Sequence, residues 1–233
     1  MRLNKFLARC GLASRRKCDD IIKDKKIFIN GSIVTDFSYQ VKVNDIVTYN
    51  QKYLEIEDKS IVYVLNKPKG YICTSKDTHN RLKIIDLIDT KVRLFTIGRL
   101  DRDTTGIILL TNDGDFANRL AHPRYNKEKK YYVKTKGRID NTFLKKIKNR
   151  YKLDDGTIVK ANIKLMTFSG NIFEWDITLT EGKNREIKRI FSNFDSKVTL
   201  IHRYSFCGIN LNNLKFGKYR KIPIQEIKNK LLK

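Results

Sequence analysis

The sequence predicts an α+β protein: a small N-terminal helix–helix–hairpin unit, then a mixed, largely antiparallel β-sheet with flanking helices. Three observations predict it. Residues 1–30 hold two stretches with apolar side chains three and four apart, and they lead into Asn30-Gly31, a strong hairpin signal. Beyond residue 60, β-rich apolar runs such as IVYVL, IILL and NIFEWDITLT are interleaved with helical spacings. The chain is 233 residues long and 40% hydrophobic, with 12 Phe and 11 Tyr, so it can bury a sizeable core without disulfide or metal staples.

In MRLNKFLARCG, Leu3, Phe6, Leu7 and Cys10 define one helical face, and Gly11 is placed to end the helix. Ser14 can cap a second helix, SRRKCDDIIKDKK, whose inner stripe is Cys18, Ile21 and Ile22. Its first turn carries Arg15, Arg16 and Lys17. Three cations there oppose the helix dipole unless an anion approaches, which hints at a phosphate contact. IFIN-GSIV then reads as a hairpin and VNDIVTYN as a further strand. The polar stretch 51–60 is the expected linker, dividing a small domain (1–58, linker included) from a large one (59–233).

In the large part, IVYVL is an apolar strand broken by NKPKG, with YICTS expected to resume it. IILLTNDG reads as a buried strand and turn, and DFANRLAH as a helix with Phe116, Ala117 and Leu120 inward. KKYYVKTKG follows as a strand with alternating faces, and Asp140 as the cap of a helix NTFLKKIKNRY. TIVKANIKLMTF and NIFEWDITLT form antiparallel partners about Ser169-Gly170-Asn171. EGKNREIKRIFSNF is expected to be helical throughout, with Ile187, Ile190, Phe191 and Phe194 inward. KVTLIHRYSFCGI supplies another strand and PIQEIKNKLLK a terminal helix.

Charge narrows the function. Lys plus Arg number 49 against 25 Asp plus Glu, a formal net charge of +24. Residues 1–50 carry 10 basic and 5 acidic residues, so the excess runs along the whole chain. Such a field favours a polyanionic partner, although a compositional bias toward lysine would give a similar count. Cys10, Cys18, Cys73 and Cys207 form no CxxC pair, and His79, His122 and His202 lie far apart, so neither a structural zinc site nor a disulfide framework is expected. No apolar stretch is long enough to span a bilayer and the N-terminus is too polar for a signal peptide, which predicts a cytoplasmic protein with free thiols.

The residues that invite chemistry lie in GRLDRDTTG, 98–106, a charged loop running directly into a core strand. This loop closely resembles the catalytic motif of pseudouridine synthases. NKPKGYICTSKD, ANRLAHPRYNKEKKYYVKTKG, LTEGKNREIKRIF and GINLNNLKFGKYRKI fall in the same family order. The N-terminal pattern, Gly-x-x-Ser-Arg-Arg between two helices and then an Asn-Gly hairpin, resembles the small RNA-binding domain of a small-subunit ribosomal protein. Together they resemble the ribosomal RNA pseudouridine synthases of the RsuA/RluB branch over essentially the whole chain.

The resemblance implies an enzyme that cleaves the glycosidic bond of a uridine within RNA, rotates the uracil and rejoins it through carbon 5, without cofactor or metal. It implies Asp101 as the essential carboxylate, either a nucleophile or an acid–base group. Taken alone, Asp101 would more simply turn the loop or pair with Arg99 or Arg102. Asp103 reads as a side-chain-to-backbone turn that supports the loop. Tyr131 matches the tyrosine that stacks on the target base, with Tyr132 the alternative if the register is displaced by one. Lys188 matches the basic residue that pairs with the aspartate, where many relatives have arginine. A solvated helix face would also explain it.

Among the other cations, Arg15, Arg16 and Lys17 are expected to meet RNA backbone, and Arg99, Arg102, Arg185 and Arg189 to bind phosphates around the target. Lys67 and Lys69 fall in a turn that the family keeps near its active site, which solvation explains equally well. The implied partner is ribosomal RNA, free or within an assembling subunit, bound by a monomer with no membrane association. ANRLAHP and EGKNRE favour large-subunit rRNA; the alternatives are small-subunit rRNA and a non-catalytic RNA-binding assembly factor.

Overall fold

The computed structural model describes residues 1–56, 59–74, 77–137 and 141–231. The chain divides into two compact units: Met1–Ser60 with Thr90–Arg93 and Asn112–Gly114, and the remaining residues 61–89, 94–111 and 115–233. Residues 57 and 58, in the expected linker, and Asp140, the expected helix cap, lie outside the described residues.

The first unit opens with helices α1 (Leu3–Arg9) and α2 (Arg15–Lys23). The Ser14 hydroxyl accepts from the Lys17 amide at 3.2 Å, and Gly11, at φ +82°, lets the chain turn between the helices. Strands β1 (Ile27–Ile29), β2 (Ser32–Ile33), β3 (Val47–Tyr49) and β4 (Lys52–Tyr53) form a sheet of order β2-β1-β3-β4. Asn30 and Gly31 both have positive φ, as the expected tight hairpin requires. Leu3, Leu7, Cys18, Ile22 and Ile27 pack as this unit's own fully buried core.

In the second unit the strands are β5 (Val62–Lys67), β6 (Phe95–Ile97), β7 (Thr105–Thr111), β8 (Lys129–Lys136), β9 (Tyr151–Lys152) and β10 (Ile158–Val159), followed by β11 (Asn162–Ser169), β12 (Ile172–Leu179), β13 (Lys197–Phe206), β14 (Ile209–Asn210) and β15 (Tyr219–Ile222). Helices α3 (Gly114–Ala121), α4 (Asn141–Lys148), α5 (Glu186–Ser192) and α6 (Ile224–Leu231) accompany them. The main sheet runs β11-β12-β8-β13-β7-β5-β15, with β6 beside β7 and β14 beside β13. The β13–β7 pair is parallel and its other described pairs are antiparallel, so the sheet is mixed and largely antiparallel as expected.

Alternation along β5 and β7 builds two cores on the two faces. Val62, Val64, Ile107 and Leu109 pack with Phe116 and Leu120 of α3 and Ile227 of α6. Tyr63, Leu65, Ile108 and Leu110 face the other way, into a core shared with Trp175 of β12 and Ile187, Ile190 and Phe191 of α5.

Three expected elements differ. TIVKANIKLMTF divides into β10, which pairs with β9, and β11, which pairs with β12. Tyr71–Thr74 forms no strand: Ile72 makes an isolated bridge to Lys83, exchanging amide and carbonyl bonds with Leu82 and Ile84, so the segment is a loop laid beside the sheet. The helix expected from residue 181 begins only at Glu186. Arg185 sits in the left-handed region at φ +50°, and the Glu186 carboxylate reaches back to accept from the Lys183 amide at 2.9 Å, closing the turn ahead of α5.

Candidate active site

Four neighbouring strands place one residue each in a single transverse row. Tyr131 of β8 pairs with Arg203 of β13, Arg203 with Gly106 of β7, and Gly106 with Lys67 of β5. Directly paired residues share a sheet face, so Tyr131, Arg203 and Lys67 project from the same side. Gly106 makes the row possible. A Cβ there would stand 2.1 Å from the carbonyl oxygen of Arg203, and φ is +109°, so only glycine admits this approach of the backbones.

Over this face lies the loop that carries Asp101, and its backbone is pinned on both sides of that residue. The Leu100 amide donates to the Cys73 Sγ at 3.3 Å. The Arg102 carbonyl accepts from the Gly70 amide at 2.9 Å and from the Lys67 ammonium at 3.1 Å. Lys67, fully buried at the end of β5, also donates to the carbonyls of Pro68 at 3.1 Å and Thr104 at 2.8 Å. Its three N–H groups thus meet three carbonyls. With no carboxylate bonded to it among the described residues, burial pushes its pKa down to about 8. Sequence reasoning weighed a solvated turn for Lys67. The structure puts that description on Lys69, which is exposed.

The loop, β8, β13 and the turn into α5 line a cleft in the second unit that holds Arg99, Asp101, Tyr131, Arg185 and Lys188. Asp101 is half-buried and makes no ion pair among the described residues; the expected pairing with Lys188 is absent although both line the cleft. Arg102 pairs with Asp103 at 3.7 Å, so it does not neutralise Asp101. Asp103 is exposed and takes up that ion pair in place of the expected side-chain-to-backbone turn. Tyr131 is 7% exposed and lines the cleft, whereas Tyr132 projects from the opposite face, where the Lys134 ammonium lies 5.6 Å from its ring centroid. Of the two tyrosines, Tyr131 is the one that lines the cleft with Asp101.

The expected phosphate-binding cations separate. Arg99 and Arg185 are exposed on the cleft; Arg102 is exposed but does not line it. Arg189 is a correction: its Nε donates to Asp155 at 2.7 Å and its Nη2 to Thr157, so it ties α5 to the β9–β10 hairpin and is not on the cleft. Arg15 and Arg16 in the first unit are exposed on the first turn of α2, and Lys17 pairs with Asp20 at 3.5 Å.

Sequence reasoning missed two cleft residues. Arg203 is 2% exposed; its Nε donates to the Ile107 carbonyl at 2.8 Å, and its guanidinium lies 4.8 Å from the Phe206 ring centroid. Glu186 is 4% exposed, and burial pushes its carboxyl pKa up. The period-two alternation that puts Ile201, Arg203 and Ser205 on one face was the available signal for Arg203. Glu186 had none, because its helical assignment placed no turn before it. Among the described residues, no three His, Cys, Asp or Glu side chains are grouped to hold a metal ion, and no helix is long and apolar enough to cross a membrane.

An aspartate on a pinned loop, a buried tyrosine and a lysine on one cationic cleft make a candidate site for chemistry on a polyanion. The RNA pseudouridylate synthase family matches residues 61–193 and the S4 domain matches residues 1–47. The chain belongs to the RNA pseudouridine synthase family and is an isomerase of uridine in RNA, with an N-terminal S4 domain.

It is 36% identical to the ribosomal large subunit pseudouridine synthase B of Bacillus subtilis, over 97% of this chain and 94% of that protein. It is 32% identical to the dual-specificity RNA pseudouridine synthase RluF of Escherichia coli, over 97% of this chain and 77% of that one. A crystal structure of a pseudouridylate synthase, 29% identical, superposes with a TM-score of 0.69 over 99% of both chains.

Proposed function

We propose that the enzyme converts specific uridines of large-subunit ribosomal RNA to pseudouridine, with Asp101 as the essential carboxylate, Tyr131 as the aromatic face against the flipped base and Lys188 as the cation that orients the carboxylate. One observation carries the assignment: the backbone is fixed on both sides of Asp101, while its carboxylate has no ion-pair partner among the described residues and faces the cleft that holds the other two. A carboxylate held in place and left unpaired is available to the sugar or the base. Approach of RNA brings Lys188 and Asp101 into the pairing that the free enzyme lacks.

In the reaction the C1′–N1 bond breaks, the base rotates and a C1′–C5 bond forms. The hydrogen on C5 leaves to water and N1 takes up a proton, so the product is an isomer of the substrate. Arg15, Arg16 and Lys17 on the S4 domain, with Arg99, Arg102 and Arg185 on the catalytic unit, bind backbone phosphates and set the position of the RNA. The choice of large-subunit RNA follows the name of the Bacillus subtilis relative. The enzyme acts as a monomer in the cytoplasm, on ribosomal RNA free or in an assembling subunit.

The test is tritium release from rRNA labelled at C5 of uracil, on each subunit's RNA separately, with wild type and Asp101→Asn. Release by wild type from large-subunit RNA, and none by a variant that still binds it, is the expected result. Turnover by Asp101→Asn would remove the aspartate from the mechanism, and release from small-subunit RNA alone would reassign the substrate.

A further inference from the structure

Two residues that line this cleft each carry a buried polar atom with no hydrogen-bond partner among the described residues: Oε1 of Glu186 and Nη2 of Arg203. Each side chain is otherwise engaged. Oε2 of Glu186 accepts from the Lys183 amide, and Nε of Arg203 donates to Ile107. Neither has an ion-pair partner of opposite charge among the described residues. An orphan buried acceptor and an orphan buried donor each carry the desolvation penalty of a polar group that nothing meets. Two on one cleft, beside Tyr131 and Asp101, suit a ligand that supplies one donor and one acceptor.

Building on the function proposed above, we propose that Glu186 and Arg203 read and hold the edge of the target uracil, Oε1 accepting from N3–H and Nη2 donating to the adjacent carbonyl. Uracil presents this donor–acceptor edge; cytosine has an acceptor at N3, so the Glu186 contact reverses, and its amino group at C4 would meet the Arg203 donor wherever that donor reads O4. The pair also suits the reaction. Rotating detached uracil by half a turn about its N3–C6 axis exchanges N1 with C5 and O2 with O4, while N3–H stays in place. The acceptor therefore keeps its partner throughout, and the donor meets one carbonyl before the rotation and the other after it. When the C1′–N1 bond breaks, its electron pair passes to the uracil and is shared with the carbonyl oxygens. The guanidinium N–H stabilises that charge where it develops.

The experiment measures single-turnover tritium release and RNA affinity for wild type, Glu186→Gln and Arg203→Lys, with circular dichroism as the check on folding. Glu186→Gln keeps the shape and one oxygen for the Lys183 amide, but turns an amino group toward N3–H. Loss of one charged hydrogen bond predicts a rate at saturating RNA lower by at least about tenfold, with affinity within twofold of wild type. A Glu186→Gln rate within about threefold of wild type, in a folded protein, overturns the proposal and makes Glu186 only the cap of its turn. If Arg203→Lys fails to fold, the Glu186 result decides alone. Absence of release by wild type on either RNA would instead mark failure of the functional reading beneath it.

Discussion

The Lys67 ammonium lies 2.8 Å from the carbonyl oxygen of Thr104, so a cation at the end of β5 holds the C-terminal side of the loop that carries Asp101. It holds the Arg102 carbonyl, next to Asp101 on the same side, as well, and no carboxylate is among the groups it hydrogen-bonds. A buried charge satisfied by main-chain carbonyls stays fixed in direction, and the loop is fixed with it.

Replacing Lys67 with methionine keeps the bulk and removes all three donors. The carbonyls of Arg102 and Thr104 lose a partner, so stability falls by about 2–4 kcal/mol and the rate at saturating RNA falls while affinity changes little. Urea melts and single-turnover rates on the same preparation check both parts. An unchanged rate in the folded variant would mean that the loop is held adequately by Gly70 and Cys73.

Lys67 also predicts a pH dependence. Its folded pKa, about 8, lies below the value near 10.5 of an unfolded lysine, so between the two the unfolded chain binds more protons. Stability contributed by this group therefore rises with pH across that window. The gap between wild type and Lys67→Met should widen by about 1 kcal/mol from pH 7 to pH 9. Melts of both proteins at the two pH values measure it, and a constant gap would show that the lysine is not desolvated.

Gly106→Ala forces a methyl group into the Arg203 backbone at a φ that side chains resist. The β7–β13 pair must open, and with it the row that aligns Tyr131 and Lys67. We expect a loss of more than about 3 kcal/mol, read as a lowered melting temperature, together with loss of turnover. Wild-type stability in the variant would contradict the close approach of these strands.

Arg189→Ala separates structural from RNA-facing arginines. Its guanidinium is held by Asp155 and Thr157, so removal should cost about 1 kcal/mol of stability and leave RNA affinity within twofold. Arg15→Gln with Arg16→Gln should do the reverse, leaving the melting temperature nearly unchanged while flattening the salt dependence of binding. Each phosphate contact removed lowers the slope of log K against log salt by about 1. Filter binding across a salt series, alongside thermal melts, distinguishes the two behaviours.

Local patterns made much of this protein legible from its sequence. Helical spacing with Ser14 and Gly11 as boundaries, the Asn30-Gly31 turn, and the alternating strands about Ser169-Gly170-Asn171 are short-range signals that packing reinforces. The family resemblance singled out Asp101 and Tyr131, which the fold brings to one cleft, and parity along β8 was enough to put Tyr131 and Tyr132 on opposite faces. Contacts between segments distant in sequence were not legible. Nothing near Lys67 indicates that its three partners include carbonyls 35 and 37 residues away, or that Arg203 would come against Gly106. Arg189 looked like its basic neighbours until Asp155, 34 residues upstream, was brought beside it. Periodicity fixes which face a side chain takes, because that depends on residues within one turn or one pleat. Which groups are left buried without a partner depends on strand order and on where loops fold back, and for Glu186 and Arg203 only the tertiary structure decided that.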